Sequence, residues 1–125
     1  MEKDYIPFEL ALELKSLGFY EKCSKYFKND GTQHPSTINY CYNFRTGDLV
    51  SSPLFSQVFR WFRKKYENLH GSIEQTNSYK DEYTVYIGRF GYIEGNLKDE
   101  PKVFISYEEA ELECLKKLIE SVKTN

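Results

Sequence analysis

The sequence predicts one α+β domain spanning residues 1–125, with three helices packed on a mainly antiparallel sheet. Three observations carry this reading. Phe55, Val58, Phe59, Phe62 and Tyr66 recur at helical spacing. Ile38, Tyr40, Tyr42 and Phe44 alternate with Asn39, Cys41 and Asn43, a two-residue strand period. Ser106-Tyr107-Glu108-Glu109 forms an S-x-x-E capping box directly ahead of a helically spaced apolar run.

In chain order, Pro7 opens a first helix, with Glu9 in the turn where the helix dipole favours negative charge. Phe8, Leu10, Ala11, Leu12, Leu14 and Leu17 cover a broad arc, which implies contacts on two sides. Leu17-Gly18-Phe19 reads as its stop, Gly18 left-handed and Phe19 folding back. Phe19 to Phe44 reads as a hairpin. Asn29-Asp30-Gly31 turns it and a polar loop runs to Ser36 before the alternating strand.

The central helix is expected from a Ser52 N-cap and Pro53 to Tyr66, stopped by His70-Gly71. Its apolar face should be the spine of the core. Ser72 to Thr76 and Tyr83 to Arg89 read as antiparallel strands, and Lys102 to Ile105 as a short third one. The last helix should bury Ala110, Cys114, Leu115, Leu118, Ile119 and Val122, with Ile105 and Ala110 stapling its start.

At 125 residues, with 40% hydrophobic and 29% charged side chains, the chain fits an ordinary folded domain. A domain of this size buries about two-thirds of its unfolded surface. A net charge of −2 excludes a global basic field for nucleic acid, so such binding would need a local patch. No apolar run approaches membrane-spanning length, and the charged start at Glu2-Lys3-Asp4 argues against a signal peptide. Cytoplasmic localisation is therefore expected. Three cysteines without a C-x-x-C pair agree with reduced thiols there.

Two groups of residues are candidates for chemistry. Arg60, Arg63 and Lys64, with Trp61 on the flank, make the outer face of the central helix the most basic surface of the chain. They could meet phosphates or an acidic partner. Cys23 and Cys41 could face each other across the hairpin with His34 at its tip, a weak metal or redox grouping short of the ligands zinc wants. No catalytic residue is assigned. Paired metal-binding motifs and phosphate-cradling glycine loops are absent, so no cofactor is implied.

Two resemblances follow. From Ser52 onward the order helix, three strands, helix resembles the double-stranded RNA-binding domain. The positions matching that family's lysine cluster are Ser106, Tyr107, Glu108 and Glu109, acidic where the family is basic. Secondly, Ile6-Pro7-Phe8-Glu9-Leu10-Ala11-Leu12 with Leu17-Gly18-Phe19, Trp61-Phe62-Arg63-Lys64-Lys65-Tyr66 and Tyr107-Glu108-Glu109-Ala110 resemble small phage and prophage proteins of Bacteroidetes-type gut bacteria. That resemblance implies a phage or mobile-element accessory protein acting in the bacterial cytoplasm, and the leading expectation for the chain is a non-catalytic binding protein working through protein contacts. Its partner would be a host factor or a second copy of itself, away from the membrane. The alternatives are a nucleic-acid binder using the basic helix face and a small Cys/His enzyme or metal protein.

Overall fold

The structure is a computed structural model that describes residues 4–44, 48–66, 69–77, 81–89, 92–94 and 103–123. Among the described residues the architecture is α+β, with three α-helices and antiparallel strands in two three-stranded sheets rather than one. The chain divides into two compact units, Met1–Gln57 and Val58–Asn125.

In the first unit, helix α1 spans Phe8–Ser16. Pro7 stands one position earlier than expected, as an extended N-cap whose carbonyl accepts from Leu10 and Ala11. The helix ends as its sequence requires. Gly18 has φ +89°, Gly18 N–H donates to Lys15 O at 3.2 Å, and Phe19 N–H donates to Leu14 O at 3.0 Å. These are the two bonds of a Schellman cap, and they turn Phe19 fully into the core. Leu10, Ala11 and Leu14 are buried, but Leu12 is exposed, so the wide apolar arc is covered on only part of its width.

Strands β1 (Cys23–Phe27), β2 (Gln33–Tyr40) and β3 (Val50–Ser51) form a sheet in the order β2-β1-β3, all antiparallel. The hairpin tip is shorter than expected. Gly31, at φ +87°, donates to Lys28 O, and Asp30 Oδ1 accepts from both the backbone N–H (2.9 Å) and hydroxyl (2.6 Å) of Thr32. That local network closes the turn and lets β2 begin at Gln33.

A second departure concerns the strand alternation. Lys25 pairs with Pro35 but Cys23 pairs with Tyr40, so a bulge separates the two pairings. After Tyr40 the chain turns into a 3-10 segment, Tyr42–Phe44. Both breaks destroy the two-residue period. Tyr42 is buried, whereas Ile38, Tyr40 and Phe44 are exposed.

Ser52 belongs to this sheet and not to a helix cap. Its N–H donates to Lys25 O and its hydroxyl accepts from Gln33 Nε2 at 2.8 Å. Pro53 O then accepts from Ile6, Leu54 bridges Tyr5, and helix α2 starts only at Phe55, ending at Lys65. Sheet pairing across the unit outcompetes the local capping signal.

In the second unit, β4 (His70–Asn77), β5 (Glu82–Arg89) and β6 (Tyr92–Glu94) form an antiparallel sheet with β5 central. His70 and Gly71, expected to stop the helix, are the first residues of β4, paired with Gly88 and Ile87. The third strand is Tyr92–Glu94; of the strand expected over Lys102 to Ile105, Lys102 lies outside the described residues and Phe104 makes an isolated bridge to Tyr83, with both bonds at 2.9 Å. Helix α3 (Tyr107–Lys123) lies on β4 and β5.

Its cap is as the sequence reads it. Glu109 N–H donates to Ser106 Oγ at 3.1 Å, and Ala110, Cys114, Leu115, Leu118 and Ile119 are buried. Val122 is only half-buried. The staple does not form, because Ile105 is 74% exposed. No helix among the described residues is long and apolar enough to cross a membrane.

Candidate functional site

The Cys/His group is not brought together as the hairpin suggests. Cys23 sits opposite Tyr40, not Cys41, although the Cys41 thiol is close enough to act on it electrostatically. His34 pairs with Tyr26, three residues along β1, about 10 Å at strand rise. Its Nε2 contacts Thr32 Oγ1 at 2.9 Å and its ring stacks on Tyr26 with centroids 5.6 Å apart. Because Thr32 gives its hydroxyl proton to Asp30, His34 Nε2 carries the proton in that contact.

The Cys23 thiol is unsuited to nucleophilic work. Burial, above all, pushes its pKa up to about 12, against a smaller lowering from a Ser51 hydrogen bond. Burial does the same to Cys114. Among the described residues no group of three or more His, Cys, Asp and Glu side chains could hold a metal ion.

The basic face of α2 is real as a surface. Arg60, Arg63 and Lys64 are exposed, as is Lys65. Trp61 does not share it. The indole is buried, edge-on to Phe62 (5.0 Å) and Tyr66 (5.7 Å), with the Lys65 ammonium 5.1 Å from its ring centroid. Trp61 is therefore a core residue with a cation over its ring face, rather than a contact residue.

The feature that sequence reasoning missed lies in the first unit. Tyr20 and Phe44 are 50% and 66% exposed, yet they stack on each other at 4.7 Å and 24°. Ile38 is 64% exposed and Tyr40 37%. A separate series of ring contacts runs from Tyr40 to the buried Tyr42 (5.3 Å), then Tyr26 (4.7 Å) and His34. The buried Asn43 fixes the turn that carries Phe44. Its amide donates to Phe19 O at 2.7 Å, its carbonyl accepts from Ser51 N at 2.8 Å, and its own N–H donates to Ser51 Oγ at 3.2 Å.

This buried clamp ties the segment carrying Tyr20 to the turn carrying Phe44, so the exposed ring pair is held by rigid backbone. One signal was available in advance. From Gln33 to Phe44 the chain has no Asp, Glu, Lys or Arg, which is unusual for exposed structure. The exposed side chains Tyr20, Ile38, Tyr40 and Phe44 present apolar and aromatic area to solvent.

No protein-family model, curated protein or solved structure gives a significant match to this chain, so the double-stranded RNA-binding resemblance rests on element order alone.

Proposed function

We propose that this protein is a non-catalytic binding protein that works through protein–protein contacts, and that the aromatic surface of its first unit makes them. The observation that carries the reading is the Tyr20–Phe44 stack, two large exposed rings anchored by the buried Asn43 clamp. Rigid aromatic side chains contribute large contact area at low entropic cost, which is why they dominate protein interfaces. The resemblance to small phage and prophage proteins supports an accessory role in a bacterial cytoplasm, with a host factor among the partners.

The test is affinity capture from bacterial lysate with the wild-type chain and a Phe44→Ser variant whose circular dichroism matches it. A partner retained by the first and lost by the second supports the reading; an identical capture set from both refutes it.

A second reading is favoured by the exposure of Arg60, Arg63 and Lys64 on one face of α2. It makes the chain a nucleic-acid binder through phosphate contacts, and it requires affinity that falls steeply with salt. A flat salt response, or unchanged binding by an Arg60/Arg63/Lys64→Ala variant, would rule it out.

A further inference from the structure

We infer that the Asp30-Gly31 peptide at the tip of the β1–β2 hairpin is the chain's site of spontaneous isoaspartate formation, and that the Thr32 side chain sets its rate by holding the Asp30 carboxylate.

The first argument is the sequence at the turn. In this rearrangement the Gly31 backbone nitrogen attacks Asp30 Cγ. An N–C bond forms, the carboxyl C–OH bond breaks, and the hydroxyl leaves as water with the amide proton. A second water opens the cyclic imide, and opening at the Asp30 backbone carbonyl leaves the chain running through the former side chain. A β-carbon on the following residue hinders the attack, and glycine has none. Of the seven glycines only Gly31 follows an Asp or Asn, and Asp30 is exposed, so water reaches the imide.

The second argument is the state of the carboxyl, which loses its hydroxyl as the neutral acid and not as the carboxylate. Asp30 Oδ1 accepts from the Thr32 hydroxyl at 2.6 Å and from the Thr32 backbone N–H at 2.9 Å. The first is the short distance of a hydroxyl on an ionised carboxylate. Both bonds favour the charged form. His34 Nε2, 2.9 Å from Thr32 Oγ1, brings its own proton to that contact and leaves the hydroxyl proton for Asp30.

The third argument is the nucleophile. Gly31 N–H donates to Lys28 O at 2.9 Å, and Lys28 N–H donates to Thr32 O at 3.0 Å. Attack requires Gly31 to give up its bond and turn toward Asp30 Cγ. The glycine also lies against the Phe8 ring, where an added β-carbon would stand 3.4 Å from Phe8 Cδ2. The folded turn therefore keeps both reacting groups engaged elsewhere, and unfolding releases them.

Wild type, Thr32→Val and Thr32→Ser, each folded and in urea, are incubated at mildly acidic pH after thermal melts establish the fold. Chromatography with electron-transfer fragmentation of the peptide digest then distinguishes isoaspartate from aspartate at equal mass. The three chains in urea should convert at closely similar rates, and folded wild type several-fold more slowly. Folded Thr32→Val, which lacks the hydroxyl, should convert several-fold faster than folded wild type, while Thr32→Ser, which restores it, should keep the wild-type rate. A folded Thr32→Val that converts no faster than wild type overturns the role of Thr32. Equal rates for wild type folded and in urea overturn the protection by the turn, and a product concentrated at another Asp or Asn overturns the site.

Discussion

Gly71 and Cys114 touch across the seam between β4 and α3: a β-carbon built on Gly71 would overlap the Cys114 sulfur. The same β-carbon would approach Leu118 Cδ1 to 3.3 Å and Phe59 Cε1 to 3.7 Å. Glycine at this position is thus a packing requirement, which lets the last helix settle onto the sheet. Both Cys114 and Leu118 are fully buried, so neither can swing away.

Gly71→Ala should therefore destabilise the protein by about 1–3 kcal/mol, the range for overpacking a filled core. Trimming the partner should relieve part of it. Gly71→Ala with Cys114→Ala should cost less than the sum of the two single changes, by about 0.5 kcal/mol or more for residues in direct contact. Urea unfolding of the four proteins measures the coupling. Strict additivity would mean that the helix shifts freely and that the seam is not close-packed.

Asn43→Leu should be among the most damaging single changes in the first unit. It leaves Phe19 O and Ser51 N–H without their buried side-chain partners, each worth about 1–3 kcal/mol when unsatisfied. The expected loss is about 2–4 kcal/mol after compensation by added apolar burial. Because Asn43 also positions the turn beneath Phe44, the variant should weaken partner capture even where it remains folded. A loss below about 0.5 kcal/mol, the range of ordinary surface changes, would show that the clamp is dispensable.

Local signals were legible and tertiary ones were not. The Gly18 cap, the Ser106 cap and the apolar stripe of α3 depend on residues within a turn of one another, and each is present. Ser52 has an equally good local signal, yet its backbone and hydroxyl are taken by Lys25 and Gln33, far away in sequence. Gly71 reads locally as a helix stop. Its actual reason is the closeness of a helix more than forty residues later, which no local pattern encodes.

The candidate site divides in the same way. Exposure of Arg60, Arg63 and Lys64 follows from helical period alone. The ring pair of Tyr20 and Phe44 does not, because a bulge and a 3-10 turn decide which rings of that segment face out. The boundary between the two units falls inside α2, so no change of composition marks it.

Asp30 should shape the acid limb of stability. Its carboxyl lies below the ordinary 3.8, chiefly because the Thr32 hydroxyl donates to it, then the Thr32 backbone N–H, with smaller help from His34 and Lys28. A carboxylate lowered in the folded state contributes stability above its unfolded pKa and loses it as pH falls through the folded one. The contribution is therefore present at neutral pH and disappears below about pH 4. Asp30→Ala should remove it, giving a shallower decline in urea midpoint over that acid range than the wild type shows. Parallel declines would mean that the Thr32 bonds do not survive in solution.

Two of the three buried thiols, alongside Tyr66 and Tyr107 whose hydroxyls burial also pushes up, contribute to the alkaline limb. Cys23 and Cys114 are both pushed to about 12 by burial, well above the ordinary 9.0. Below pH 9 both folded and unfolded states keep the proton and no pH dependence arises. As pH rises past 9 the unfolded thiols ionise while the folded ones cannot, so the unfolded state gains and stability falls toward pH 12. The same burial blocks chemistry at neutral pH, since the thiolate is the reactive form. Native protein should therefore take up a thiol reagent at these two residues only after unfolding in urea, resolved by mass spectrometry of the labelled peptides. Cys23→Ala with Cys114→Ala should flatten the alkaline decline, while rapid labelling of Cys23 in the folded chain would restore it as a chemical candidate.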